Sequence, residues 1–336
     1  MHRAMELARL GMGYVSPNPM VGCVIVHDGK IIGEGWHKHY GEAHAEVNAI
    51  QSVEDKSLLK ESTVYVTLEP CSHVGKTPPC ADLLISHQVK KVVASCEDPN
   101  LLVSGKGIRK LREAGIDVEV GMLRNEGIEL NKRFFTFINK QRPYIVLKWA
   151  QTADRFISRK NFDSKWISNV FSRQLVHKWR SEEDAVLAGT LTTKHDNPLL
   201  NVRDWSGRNP TRIVIDRYLK LNADLHVFDL SQKTICYNTL KNESDGNVQF
   251  VCLQEKHFIK QLVQDLYTKK IQSLIVEGGA QTLQFFLDAN LWDEARVFES
   301  VKSFGEGIAA PGLKAHLVVQ EQIFDDTLRI YSNTTD

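Results

Sequence analysis

His44-Ala45-Glu46, followed downstream by Glu69-Pro70-Cys71-Ser72-His73-Val74-Gly75-Lys76-Thr77-Pro78-Pro79-Cys80, is the stretch on which the reading of this chain turns. The triplet opens a helix, and Pro70-Cys71 follows Thr63-Val64-Tyr65-Val66-Thr67-Leu68, a β-branched run that predicts a strand. Cys80 comes just after Pro78-Pro79, where a second helix begins. One imidazole and two thiolates suit zinc, one ion per chain. With His44, Cys71 and Cys80 as the only protein ligands, the fourth tetrahedral position is left to water, which the metal acidifies enough to be hydroxide near neutral pH. Glu46, beside the ion but not bound to it, is placed to take the water proton and deliver it to a ring nitrogen and then to a departing amine. Zinc deaminases of this pattern carry two residues between their cysteines. Here eight separate Cys71 from Cys80, and the insert brings polar and cationic groups close to the metal, where a substrate could be gripped. The competing reading is a closed structural site with His73, His37 or His39 as fourth ligand, which would leave Glu46 without a role.

Working outward, residues 3–11 read as a helix that stops at Gly11, Gly13 and the turn Ser16-Pro17-Asn18-Pro19. Val21 to Val26 and Lys30 to Glu34 flank Asp28-Gly29, a hairpin signal. A helix from about Ala43, a strand at Lys91 to Ser95, a helix near 106–114 and a strand at 116–120 complete a layered α/β pattern. The charged stretch from Asn131 to Pro143 reads as a separator, with the boundary near 142 and two domains, 1–142 and 143–336. The second half alternates again: strands at 144–149, 185–189, 211–215, 234–238, 247–252, 273–277, 294–301 and 328–332, with helices near 168–181, 256–269 and from about 280. A chain of 336 residues is longer than one core usually supports, so two α/β units are expected.

Composition excludes several function classes. The 42 basic against 41 acidic residues give a net charge of +1, without the basic surface that a deaminase acting on a base in RNA or DNA would need. No run approaches the length of uninterrupted apolar residues that a membrane span requires, and Met1 to Glu6 leads into an amphipathic stretch rather than a leader. A cytoplasmic protein with no membrane partner is expected. Six cysteines are too sparse for a disulfide scaffold, and Cys96, Cys236 and Cys252 read as small core residues. His87 and His177 read as surface or satisfied histidines, and Gly105-Lys106-Gly107 is only a weak phosphate-loop hint. In the second half, Ser273 to Glu277 ends in Gly278-Gly279 and runs into a helix at Ala280, a place where bare backbone amides can bind phosphate. It lacks the three-glycine dinucleotide fingerprint, so a Rossmann unit is disfavoured.

The segments Ser16-Pro17-Asn18-Pro19-Met20-Val21-Gly22, His44-Ala45-Glu46 and Glu69 to Cys80 together resemble the RibD family of riboflavin-biosynthesis proteins, and the likeness runs over nearly the whole chain. It implies a cytidine-deaminase-like three-layer domain followed by a dihydrofolate-reductase-like α/β domain. It also implies two reactions: deamination of 2,5-diamino-6-(5-phosphoribosylamino)pyrimidin-4(3H)-one, then NADPH-dependent reduction of the ribosyl group of 5-amino-6-(5-phosphoribosylamino)uracil to ribityl. A homodimer or tetramer acting on small phosphorylated pyrimidines follows from the same resemblance.

By that resemblance Asn18 contacts the pyrimidine while His73 and Lys76 hold ring or phosphate. An amide offers a donor and an acceptor, and a lysine a point charge, although Lys76 also reads as a solvated loop residue. The family's nucleotide positions fall on Ala150, Ser164, Trp166, Thr192, Asp196 and Gly279, Ala280, Gln281, Thr282, Leu283, Gln284 and Phe285. Its substrate positions fall on Lys148, Asp154, Arg180, Leu200, Arg203 and Glu277, with the two arginines suited to the ribose phosphate. Trp166 also reads, as the lesser alternative, as a core aromatic. Hydride transfer needs no protein acid or nucleophile, only placement of the cofactor against the sugar. Arg155, Leu101, Arg217 and Glu299-Ser300 depart from the family pattern, and Arg217 is expected to meet the 2′-phosphate of NADPH. A second domain that keeps its fold but has lost its reaction is the remaining alternative.

Overall fold

The structure, a computed structural model, describes residues 1–72, 78–100 and 104–333, and divides into two units, Met1–Gln141 and Arg142–Asp336. Arg142 falls in the second unit because it donates from both terminal nitrogens to Asp293, at 2.6 and 2.7 Å.

The first unit runs α1 (His2–Arg9), β1 (Gly22–His27), β2 (Lys30–Trp36), α2 (Ala45–Ser52), β3 (Thr63–Val66), α3 (Cys80–Ser86), β4 (Lys91–Ala94), α4 (Lys106–Glu113), β5 (Asp117–Val120), α5 (Arg124–Leu130) and α6 (Lys132–Lys140). Its five strands lie in the order β2-β1-β3-β4-β5. The hairpin β1–β2 and the pair β1–β3 are antiparallel; β3, β4 and β5 are parallel. The core lies where Ile25, Val64, Val66, Val92 and Ala94 meet Ala49, Ile50, Leu84, Ile108 and Leu111 from the helices. Helix α2 closes tightly on β2, since a Cβ at Gly35 would sit 2.3 Å from the Ala49 nitrogen and 2.6 Å from the Ala45 oxygen. Only glycine allows that approach, and it brings the first turn of α2 down onto the sheet.

The segment read as a charged separator is instead α5 and α6. Leu130, Phe134 and Phe137 are buried along one side, and Phe134 packs on Leu68 and Cys96. Between the two helices Asn131 is buried and holds Met20 at both ends, accepting from its nitrogen at 2.8 Å and donating to its oxygen at 2.9 Å.

The second unit runs β6 (Tyr144–Gln151), β7 (Phe156–Ser158), α7 (Val170–Glu182), β8 (Ala185–Gly189), α8 (Thr190–Asp196), β9 (Thr211–Ile215), β10 (Thr234–Asn238), β11 (Glu243–Asp245), β12 (Val248–Cys252), α9 (Phe258–Thr268), β13 (Ser273–Val276), α10 (Ala280–Asp288), β14 (Glu294–Glu299), β15 (Ile308–Ala309), β16 (His316–Ile323) and β17 (Asp326–Ser332). Ten strands form one sheet, β11-β12-β10-β9-β8-β13-β6-β14-β17-β16, parallel from β12 to β14 and closed by antiparallel strands at both edges. Helices cover both faces, so the central parallel strands are largely apolar on both sides. Ile145, Leu147, Leu187, Ile213 and Leu274 face one core, while Val146, Val186, Val214, Cys236 and Ile275 face the other.

Candidate active sites

Three element ends carry the first site. His44 is the extended residue that precedes α2, Cys80 opens α3, and Cys71 lies in the segment after β3. His44 Nδ1 stands 3.3 Å from Cys80 Sγ and 3.6 Å from Cys71 Sγ, and all three ligand atoms lie within 4.8 Å of one another. The Cys80 backbone N–H donates to Cys71 Sγ at 3.3 Å, which ties the two thiols together. Hydrogen bonds with Cys80 and then His44 draw the Cys71 thiol below its ordinary range, toward the thiolate that binds metal. One imidazole and two thiolates at this spacing fit a zinc ion, and the group has three ligands, as an open site requires.

Glu46 sits in the first turn of α2 and is almost wholly buried. Burial, and then the neighbouring Cys71 charge, push its carboxyl up to about 7. A bound cation would draw that value down. A buried carboxyl beside the ligand set is placed to collect a proton and return it.

The other histidines near the set are spoken for. His37 is buried, and that burial lowers its pKa. Its Nδ1 meets the Ala43 carbonyl at 3.1 Å, its Nε2 meets Asn18 Nδ2 at 3.1 Å, and its ring stands edge-on to His44 at 5.4 Å. His39 pairs with Glu42 at the surface. His73, Lys76 and Leu101 lie outside the described residues.

Glu69 was not singled out from the sequence. Buried, it accepts from the backbone of Asp98 and Gly105 on one oxygen, at 3.3 and 2.9 Å, and from Gly107 and Ile108 on the other, at 2.9 and 3.3 Å. The amides of Gly105 and Gly107, in the weak phosphate-loop hint, are thus occupied by a carboxylate of the chain itself. A four-residue fork of this kind has no local sequence sign beyond an acidic residue before Pro70.

The second unit encloses a cavity of about 810 Å³ at the carboxyl ends of β8, β9 and β13. Lining it are Ala150, Ser164, Trp166, Thr192, Asp196, Arg217, Gly279, Ala280, Gln281, Thr282, Leu283 and Phe285, together with Lys148, Arg180, Leu200, Arg203 and Glu277. Two expected residues do not line it. Gln284 turns along α10 to Asp288 at 2.7 Å, and Asp154 is spent on a turn, bonded by Thr152 and by the backbone of Phe304 and Gly305. Trp166 is exposed over the cavity under the guanidinium of Arg173 at 4.5 Å, not a core aromatic.

Backbone closeness makes the floor. A Cβ at Gly278 would lie 2.7 Å from both Ala188 Cα and the Gly189 nitrogen, so the turn before α10 presses on the end of β8. Gly279 follows at φ +51, and the first turn of α10 lines the cavity. That turn, the face of Trp166 and Arg217, which has no carboxylate partner among the described residues, fit a phosphate-bearing cofactor with a flat ring.

Fixed charges make one wall. Arg180 donates from Nε and Nη2 to the two oxygens of Glu277 at 2.6 and 2.7 Å, and Lys148 stands 3.9 Å from the same carboxylate. Burial alone would raise Glu277, but Arg180 and then Lys148 hold it down to about 2; burial lowers Lys148. Arg180 therefore has its fork committed to Glu277 rather than open to phosphate, whereas Arg203 is half-exposed at the rim. His177 is satisfied, between the Asn201 carbonyl at 3.0 Å and Asp204 at 3.2 Å.

The departures from the resemblance have physical accounts. Arg155 adopts φ 65, the left-handed region that glycine favours, and Glu299 is paired with Arg329 at 2.8 Å. Arg217 lies over the rings of Phe258 and Phe285, at 4.7 and 5.4 Å.

Comparison with known proteins covers both units. Residues 1–96 match the cytidine and deoxycytidylate deaminase zinc-binding region, and residues 143–321 match the RibD C-terminal domain. The riboflavin biosynthesis protein RibD of Aquifex aeolicus is 42% identical over 316 residues, covering 92% of this chain and 88% of its own length. That of Escherichia coli is 37% identical over 324 residues, covering 91% and 88%. Among solved structures, a diaminohydroxyphosphoribosylaminopyrimidine deaminase/5-amino-6-(5-phosphoribosylamino)uracil reductase from Thermotoga maritima is similar at a TM-score of 0.91. It is 39% identical, covering 99% of this chain and 97% of that one.

Proposed function

Because the chain belongs to the RibD family of riboflavin-biosynthesis proteins, and is a bifunctional deaminase and reductase, we propose which of its residues perform each reaction and on what. The deaminase substrate is 2,5-diamino-6-(5-phosphoribosylamino)pyrimidin-4(3H)-one, gripped by Asn18 and by His73 and Lys76. His44, Cys71 and Cys80 hold the zinc ion, which when bound supplies a Lewis acid and an activated water. Glu46 accepts the proton of that water and hands protons to the ring nitrogen and the departing amine; its burial keeps bulk water from competing for them. The observation that carries this reading is the meeting of three ligand atoms within 4.8 Å next to a buried carboxyl that is not one of them.

The reductase uses a nicotinamide cofactor, and the finer reading is NADPH. The first turn of α10 takes its pyrophosphate, Trp166 covers a ring, and Arg217 pairs with the 2′-phosphate. Among the described residues Arg217 has no carboxylate partner, and its two phenylalanine platforms hold the guanidinium flat for a two-point contact. Lys148 and the Arg180–Glu277 pair face the ribose, and Arg203 at the rim meets the ribose phosphate. The work of these groups is placement and exclusion of water, since the hydride is the cofactor's. No helix among the described residues is long and apolar enough to cross a membrane, and a cytoplasmic homodimer or tetramer is the finer reading.

The test is a sequential assay on the purified chain. Ammonia is released from the diaminopyrimidine phosphate, and NADPH is then consumed in proportion. Ammonia without NADPH consumption would remove the second activity. In Arg217→Ala the affinity for NADPH, measured by titration without substrate, falls roughly tenfold while that for NADH is unmoved; equal losses for both would remove the 2′-phosphate contact.

A further inference from the structure

A carbonyl oxygen only accepts hydrogen bonds, so the ring nitrogen that meets Ala43 O at 3.1 Å, His37 Nδ1, carries a hydrogen. A neutral imidazole then has a bare Nε2, and the group 3.1 Å from it must be a donor, which makes it the amide nitrogen of Asn18. The orientation of Asn18 follows from this chain of bonds rather than from the amide itself. Its oxygen, with no partner among the described residues, is left with one N–H to face the substrate.

Both partners are held by backbone. The Asn18 nitrogen donates to Val15 O at 2.8 Å, and the next turn is pinned where Asn131 grips Met20. The His37 nitrogen donates to Val21 O at 2.9 Å, extending the β1–β2 pairing by one bond. Neither side chain can turn over without breaking the bond between them.

We propose that His37 is a positioning residue for the deaminase reaction: it fixes the amide of Asn18 so that an acceptor oxygen, not a second donor, faces the amine-bearing edge of the ring. The substrate enters with N–H groups on that edge, and deamination turns one of them into a carbonyl. An oxygen there favours the substrate over the product and the amino form over its oxo analogue. The proposal rests on the reading that Asn18 touches the pyrimidine.

The experiment is a double-mutant cycle on the zinc-loaded full chain, with metal content measured beside kinetics. Asn18→Ala and His37→Ala are each expected to keep zinc and to lose roughly tenfold to a hundredfold in kcat/KM for ammonia release, mostly through KM. If His37 acts only through Asn18, the double variant is no worse than Asn18→Ala alone. His37→Gln, whose amide oxygen can take the place of Nε2, recovers most of the loss, and His37→Asn does not. Additive losses, or zinc lost from His37→Ala with Gln no better than Asn, would overturn the positioning role while leaving the Asn18 contact intact. A harmless Asn18→Ala would overturn that contact and the proposal with it.

Discussion

In the first unit the proposed metal ligands come from one run of chain, with His44 and Cys80 36 positions apart, and they need an ion from outside to balance their charge. In the second unit Arg180 and Glu277 are 97 positions apart and neutralise each other inside the fold, with Lys148 beside them. The first arrangement needs its guest to be complete; the second carries its electrostatics permanently and asks its guest only to fit. A chelator should therefore empty one site and spare the other, while a single charge-removing substitution should do the reverse.

The largest expected effect is on the first unit. Chelation abolishes ammonia release and leaves NADPH consumption on the aminouracil substrate at its untreated rate, and zinc restores the loss. Glu46→Gln retains zinc and loses roughly 10²- to 10⁴-fold in the same assay. If chelation slowed both reactions together, the contrast between a guest-completed and a self-contained site would be gone.

The next effect belongs to the second unit. Glu277→Gln leaves Arg180 and Lys148 buried without their counter-charge. Breaking one partner of such a set costs about 3–5 kcal/mol. A lowered second-unit melting transition, with reductase activity lost and ammonia release kept, is the expected outcome. Full stability in the variant would mean that the two cations are already served by water or by a neighbour.

The same contrast governs what could be read from sequence. The cluster of His44, Cys71 and Cys80 was legible because each member is announced locally, by His-x-Glu at a helix start and by prolines beside both cysteines. The parallel strands were legible too, as short apolar runs such as Ala185–Gly189 and Thr234–Asn238. Helix α6 was not, since Lys132, Arg133 and Lys140 frame it and only Phe134 and Phe137 reveal its buried side. Strand β16 went unseen because an edge strand exposed on both faces has no alternation to detect. The pairing of Arg180 with Glu277 had no sign in the sequence, and the fork of Glu69 had none beyond an acidic residue before Pro70. These are contacts between distant elements, settled by topology rather than by local pattern.

The smallest effect tests the second unit's charge wall from the side. His177 is buried, and burial, followed by the charges of Arg180 and Arg203, lowers its pKa from 6.5 to about 4. Above pH 6.5 the ring is neutral whether the chain is folded or not, and its contribution to stability is constant. Between 6.5 and 4 the unfolded chain binds a proton that the folded one refuses, so stability falls as the pH falls, and the loss levels off below 4. The whole drop is about 1–3 kcal/mol, the lower end holding where cavity water screens the ring. His177→Gln, which does not titrate, should flatten the melting temperature of the second unit across that window. Burial lowers His37 in the first unit as well, and the ion-paired Glu277 and Asp229 add slope in the second toward the acid end, so the variant reduces the slope without abolishing it. An unchanged slope in the second unit would mean that the protonated ring is tolerated there, by way of Asp204, and that the wall is softer than its paired charges imply.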